Sequence, residues 1–374
     1  MLSQDREMKK QKAAKESILA VVIGLPVFLA AWIISFFVNI YNPKYVFNDD
    51  FVKLPVQTAA PTAAETPVPT PSPQPGPTGT ATPEPTPSPS PEPSPEAGQN
   101  DSILNILLLG LDASTERYET MRSFRTDTIM LLAVNFDKER IDIISIPRDS
   151  YVNVYVPPDR RQSYDNLAYK NTRVNEAFAI GGGFKGGGFD NVMRTVSDLF
   201  GGITINYYAA VDMNVVKQII DIMGGLYYDV DITVKMNGRT VEKGYRKLSG
   251  QEVLDYSRIR KGYGGDLGRI DRQQRIVLEV VRQLQERKEL TKIPEYYSAV
   301  SENVFTNLNV TQIAALALFA NDLDLEADVL RHTLPTKSIP MVEGKSMLGV
   351  DERKANEMLS EVYGGGAYRV SNLP

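Results

Sequence analysis

Five arginines fall within eighteen positions, Arg258, Arg260, Arg269, Arg272 and Arg275, in the stretch YSRIRKGYGGDLGRIDRQQR. The glycines Gly262, Gly264, Gly265 and Gly268 interrupt them. The chain as a whole is acidic, with 41 Lys+Arg against 46 Asp+Glu and a net charge of −5, so this density of positive charge is local. Planar guanidinium forks grip phosphate oxygens two at a time, and glycines let backbone approach a ligand closely. Arg269, Arg272 and Gln273 stand at i, i+3 and i+4, one face of a helix, and Asp266 precedes them where it can cap that helix. Forks at a helix N-terminus make a receptacle for a doubly charged phosphate group. The same residues admit two other readings, a solvated helix face and a nucleic-acid stripe. The acidic chain and the lack of a basic run interleaved with aromatics weigh against nucleic acid, and Arg275 reads as solvated.

Four more charged residues sit at the ends of apolar runs. Asp112 follows NILLLG, Arg125 and Asp127 lie in FRTDT before a second run, and Arg148 follows IISIP. Strand ends in α/β sheets are where ligands bind. Taken singly, Asp112 is a turn or cap residue and Arg125 with Asp127 an exposed pair of little energetic worth. Combined with the arginine-rich stretch, they outline an anion site with carboxylates beside it.

What is missing narrows the chemistry. There is no cysteine, so disulfides, thiolate catalysis and Cys-ligated zinc are excluded. The single histidine, His332, has no acidic neighbour in sequence and reads as structural. An enzyme built from these residues must work with carboxylates, arginines, hydroxyls and a hard cation such as magnesium. The glycine cluster GGGFKGGGF (181–189) lacks the Walker spacing and reads as a flexible loop.

The elements that must position these groups begin near Asp101. ILNILLLG (103–110), TIMLLAVNF (128–136) and IDIISIP (141–147) are apolar runs of strand length, the last two joined by the charged turn DKER. ITINYYAAV (203–211) and LYYDVDITV (226–234) read as further strands. Helical spacing marks 188–201, 213–225 with its terminal Gly pair, 249–260 with Ser249 as N-cap, and a long helix over 267–288. Its stripe of Ile270, Val277, Val280, Val281 and Leu284 faces the core. Interleaved strands and helices predict an α/β fold, a layered α-β-α sandwich around a mixed central sheet.

Ahead of that domain, residues 18–40 carry no charge over 23 positions, roughly 35 Å of helix against a bilayer core of about 30 Å. The run is too long for a signal-peptide h-region and has no small-x-small cleavage site. Lys and Arg crowd its N-terminal side, which predicts a cytoplasmic tail (1–17), a transmembrane helix (18–41) and an external remainder. Residues 42–100 form a Pro/Thr/Ser-rich linker, predicted to be disordered and extracellular, whose polyproline character could hold the domain (101–374) up to roughly 130 Å from the membrane.

NILLLGLD, RTDTIMLLAVN, IISIPRDSYV, IDIMGGL and YSRIRKGYGGDLGRIDRQQR, in this order, resemble the LytR-CpsA-Psr family of cell-envelope proteins, also described as cell envelope-related transcriptional attenuators. The resemblance is strongest over 105–281. It implies a phosphotransferase that moves an anionic glycopolymer, such as teichoic acid or capsular polysaccharide, from a polyprenyl pyrophosphate carrier onto peptidoglycan. The partners implied are that lipid-linked glycan, peptidoglycan and the membrane, with no nucleic acid. The resemblance makes Asp112 and Asp127 ligands of Mg2+, and Arg125, Arg148, Arg258, Arg260, Arg269 and Gln273 pyrophosphate contacts. Arg125, Asp127, Arg148 and Asp266 would be catalytic. Where relatives commonly read NHAY, this chain has NEAF, with Glu176 and Phe178 as departures. Two other activities share these features, a non-enzymatic envelope-binding attenuator and a polyprenyl-pyrophosphate pyrophosphatase.

Overall fold

The computed structural model describes residues 46–47, 103–111, 126–236, 238–259, 264–365 and 368–374. The predicted tail and transmembrane helix, almost all of the linker, and Asp112, Arg125 and Arg260 lie outside them. Among the described residues no helix is long and apolar enough to cross a membrane.

Among the described residues fourteen strands follow in chain order: β1 (Ile103–Leu111), β2 (Thr126–Asn135), β3 (Arg140–Ser145), β4 (Tyr151–Tyr155), β5 (Tyr169–Arg173), β6 (Tyr207–Asp212), β7 (Leu226–Val230), β8 (Val234–Met236), β9 (Arg239–Val241), β10 (Gly244–Leu248), β11 (Val304–Thr306), β12 (Val329–Thr333), β13 (Thr336–Ser338) and β14 (Leu348–Val350). Six of them form the central sheet, in the order β11-β6-β1-β2-β3-β12. β1 runs parallel to β6 and β12 parallel to β3, while β1–β2, β2–β3 and β6–β11 are antiparallel, so the sheet is mixed as expected.

Apart from the buried Asn105, β1 is apolar because both faces of the sheet are covered. Ile103, Leu107, Leu109 and Leu111 point to one core with Ile129, Leu131 and Ala133. On that side pack α1 (Ala177–Ile180), α2 (Gly188–Leu199) and, late in the chain, a helix over Glu352–Tyr363. Leu104 and Ile106 face the other side, with Val134. There the sheet is covered by α3 (Met213–Ile222), α5 (Gly265–Glu286), α6 (Ile293–Val300) and α7 (Val310–Asp322), while α4 (Gly250–Arg258) packs against α3 and α5; the late helix on the first side is α8.

Local chemistry accounts for several boundaries. Ser249 and Glu252 form a capping box at the start of α4, as the sequence suggests. α3 ends before Gly224 and Gly225, whose φ values of 76° and 102° suit glycine. β6 starts four residues later than the apolar run predicts, and the run 226–234 splits at Asp231 into β7 and the β8–β9 hairpin.

Two sequence expectations need correction, and the structural reading of His332 gains a partner from elsewhere in the chain. The GGGFKGGGF stretch is tightly packed, not a flexible loop: Phe184 and Phe189 lie 5.0 and 4.9 Å from the Phe178 ring, and a Cβ on Gly188 would fall 2.8 Å from that ring. His332 does have an acidic neighbour, since its Nε2 is 2.8 Å from the buried Asp142. Asp142 also accepts from Arg140, which places all three in a structural pairing of β3 with β12. Arg275 is not simply solvated; it pairs with Asp231 and Asp271, each at 2.9 Å.

Candidate active site

The C-terminal end of β3, the N-terminal end of β2 and the first turns of α5 meet at one edge of the sheet. Arg148, just past β3, donates from Nη1 to Asp127 Oδ1 at 2.6 Å. Its Nε lies 3.6 Å from Asp149 and 3.9 Å from Asp266. Asp266 pairs with Arg269 at 2.8 Å, and Arg269 Nη2 donates to the Asp127 carbonyl at 3.2 Å. Thr128 donates to Gln273 at 3.0 Å, so β2 and α5 are stitched together residue by residue. Arg173 at the end of β5 closes the ring by facing Asp149 at 3.4 Å.

Three guanidiniums, from Arg148, Arg173 and Arg269, therefore interdigitate with the carboxylates of Asp127, Asp149 and Asp266. Arg269 is 3 % exposed at its side chain and Arg148 19 %, so the charges are only partly solvated. Burial by itself would lower the Arg148 pKa, but the carboxylates of Asp127, Asp149 and Asp266 more than offset it and hold that pKa above the ordinary arginine value. The fork stays charged, as an anion site requires.

Asp266 is not the N-cap of α5. Gly264 takes that position with φ 77°, and Asp266 stands in the first turn, where it meets both Arg148 and Arg269. Arg269 and Gln273 share the face predicted for them. Arg272 departs from it: its guanidinium reaches the Ile259 carbonyl and lies over the Tyr256 ring, bracing α5 against α4. Arg258, the last residue of α4, is exposed and forms no ion pair with any described residue. Glu176 accepts from Thr172 at 2.9 Å, and the backbone N–H of its neighbour Asn175 donates to the Arg148 carbonyl at 3.3 Å. The departure from NHAY thus sits directly behind Arg148.

Asp149 and Arg173 were missed. Asp149 could have been found from its place beside Arg148 in IPRDS; Arg173 joins the cluster only through the β4–β5 hairpin, which brings Tyr151 opposite it. Among the described residues no three acidic or imidazole groups are arranged to hold a metal ion.

Between the sheet and the helices of its second side lies an apolar cavity of about 440 Å3. Two elements pass from the cluster to this cavity. On α5, Arg269 and Gln273 at the cluster are followed on the same face by Val277, Val280, Val281 and Leu284, all of which line the cavity. On β2, Thr128 is followed at strand period by Leu132 and Val134, also in the lining. The predicted core stripe holds in part: Ile270 and Leu284 are buried, Val280 and Val281 pack against core residues, and all but Ile270 also line the cavity, Val277 being 39 % exposed.

The LytR_cpsA_psr family matches residues 78–363. The chain belongs to that family. Among curated relatives of this LytR_cpsA_psr chain, the polyisoprenyl-teichoic acid–peptidoglycan teichoic acid transferase TagU of Oceanobacillus iheyensis is 33% identical over 214 residues, 57% of this chain and 61% of the relative. The regulatory protein MsrR of Staphylococcus aureus is 28% identical over 243 residues, 64% of this chain and 67% of MsrR. The match to TagU thus spans about three-fifths of that relative's length. Among solved structures, B. subtilis TagV superposes with a TM-score of 0.56 at 24% identity, covering 70% of this chain and 97% of TagV, which supports the shared fold.

Proposed function

We propose that this chain is a phosphotransferase that moves an anionic glycopolymer, a teichoic acid or capsular polysaccharide, from a polyprenyl pyrophosphate carrier onto peptidoglycan. The observation that carries the reading is the continuity of one α5 face, from Arg269 and Gln273 at the ion-pair cluster into the 440 Å3 apolar cavity. A ligand suited to both has a doubly charged head and a long hydrocarbon tail. TagU is named for such a transfer.

In this reading a glycan hydroxyl attacks the sugar-side phosphorus, the bond to the bridging oxygen breaks, and polyprenyl phosphate leaves with that oxygen. Phosphoryl transfer asks for positioning and charge neutralisation more than for a nucleophilic side chain. Arg148 and Arg269 would exchange carboxylate for phosphate oxygens as substrate enters; Arg125, Arg258 and Arg260 join them by resemblance. Asp127 or Asp266 takes the hydroxyl proton.

The donor set suits magnesium, which binds through one or two carboxylates together with substrate phosphates. Asp127, with Asp112, would hold it, and when bound it would neutralise charge on the diphosphate oxygens. We place the domain outside the cell, anchored by a single span at 18–41 with a cytoplasmic N-terminus.

The test is turnover by the full chain in detergent, supplied with a labelled polyprenyl-pyrophosphate-linked glycan, magnesium and peptidoglycan. Transfer predicts label on peptidoglycan and one polyprenyl monophosphate released for each. Release without acceptor labelling would make the chain a pyrophosphatase. Binding without release would leave the non-catalytic role that MsrR's name suggests.

A further inference from the structure

Phe47 lies only six residues beyond the predicted membrane span, yet it is fully buried in the domain. Its ring stacks on Phe136, with centroids 6.0 Å apart and planes 18° from parallel, and meets the Tyr207 ring edge-on at 5.6 Å. Tyr207 is fixed in turn by a 2.6 Å hydrogen bond from Gln312 in the capping box of α7. Leu104, Ile106, Val134 and Leu308 complete the pocket around Phe47, and three of these four also line the apolar cavity.

The position of this pocket along the sheet matters. Phe136 directly follows β2, whereas Asp127 lies at the strand's other end. Nine residues of strand separate them, roughly 30 Å. Phe47 therefore sits at the end of the cavity remote from the ion-pair cluster. Ile103, where β1 begins, pairs with Asn135, the neighbour of Phe136. Both ends of the segment 48–102 thus join the domain at the same end of the sheet, so its length adds nothing to the separation between membrane and domain.

We infer that Phe47 clamps the chain leaving the membrane onto the remote end of the apolar cavity, holding the domain at the bilayer surface with the cavity's long axis rising from it. Residues 42–46 span at most about 20 Å. The bilayer is the partner, and the ion-pair cluster stands at a set height above it, whatever the length of the Pro-rich segment. This rests on reading 18–41 as a membrane span. It replaces the linker as the spacer that the sequence suggested.

Because the chain has no cysteine, one introduced thiol labels a single site. Ser346 is exposed and its carbonyl accepts from Arg173 at 3.0 Å, so Ser346→Cys reports on the cluster end. Full-length protein carrying a donor dye there is placed in vesicles containing acceptor lipid, and energy transfer is read. Deleting residues 55–98 should leave transfer efficiency unchanged, Phe47→Asp should lower it at least twofold, and Phe47→Leu should retain it. Circular dichroism establishes that each variant is folded, and Phe47→Ala provides a milder break should Phe47→Asp not fold. A change on deleting 55–98, or none on breaking the Phe47 contact, overturns the clamp. Extraction of the unlabelled chain from vesicles by alkaline carbonate would instead overturn the membrane span, a separate result.

Discussion

Arg148 is the residue on which the site turns, since its guanidinium meets all three carboxylates, Asp127, Asp149 and Asp266. A lysine there keeps the charge but loses the planar fork, so it cannot hold Asp127 and span two phosphate oxygens as arginine does. Arg148→Lys should lower kcat/KM for glycopolymer transfer by about 10²–10³-fold, the usual cost of losing one preorganised charge-stabilising donor. The melting temperature should move by only a few degrees, because the side chain is partly solvated and lysine keeps the positive charge beside the carboxylates. Near-normal transfer by a folded Arg148→Lys protein would remove the residue from the mechanism. At this scale the sequence was informative where a charge ends an apolar run, as with Arg148 and Asp127. It was silent on Arg173, whose neighbours along the chain mark a hairpin and nothing more. Arg272 misled because helical spacing fixes where a side chain starts, while Tyr256 and the Ile259 carbonyl fix where it ends.

Among the elements, α5 does the most, joining the charged cluster to the apolar cavity, and its orientation depends on α4 and β7. Asp231, just past β7, accepts from Tyr256 of α4 at 2.6 Å and from Arg275 of α5 at 2.9 Å. Burial works to raise the Asp231 pKa, yet these two donors outweigh it and hold the carboxyl below its usual range. Burial, together with Asp231, pushes the Tyr256 phenol up, so it remains a donor throughout. A carboxylate depressed on folding stabilises above its unfolded pKa, about 3.9, and that contribution fades as pH falls through the lower folded value. Asp231→Asn should therefore cost about 1 kcal/mol near neutrality. The gap in melting temperature between wild type and variant should narrow steadily in melts taken from pH 6 down into the acid range. A gap constant with pH would mean that the charge on Asp231 does not brace α5. The helix itself was legible from its 3.6-residue period, and so was its Ser249-capped neighbour. That its stripe walls a cavity was not, because burial in a core and exposure to an apolar cavity demand the same side chains.

For the whole molecule, the least legible part of the chain proves to be structural. No motif marks residues after about 305, yet β12 extends the central sheet and α8 fills the first core. The distant pairing of Phe47 with Phe136 is equally invisible in sequence, since a short aromatic cluster before a Pro-rich stretch carries no periodic signal. α8 buries Met358, Leu359, Val362 and Tyr363, and Tyr363 donates its hydroxyl to the buried Asn105 of β1 at 2.7 Å. Asn105 in turn donates to the Thr204 carbonyl at 3.0 Å, so the polar atoms inside β1 are satisfied only with the C-terminal helix in place. Burying each such large side chain contributes about 1.5–3 kcal/mol, so the four together approach the 5–15 kcal/mol net stability typical of a folded domain. Truncation before Glu352 should then abolish cooperative unfolding and raise binding of a hydrophobic dye, although every residue of the ion-pair cluster remains in the chain. Tyr363→Phe should be milder, about 1–3 kcal/mol, for leaving Asn105 Oδ1 without its donor. A truncated chain that still melted cooperatively and carried out transfer would show that the active edge of the sheet is supported without α8.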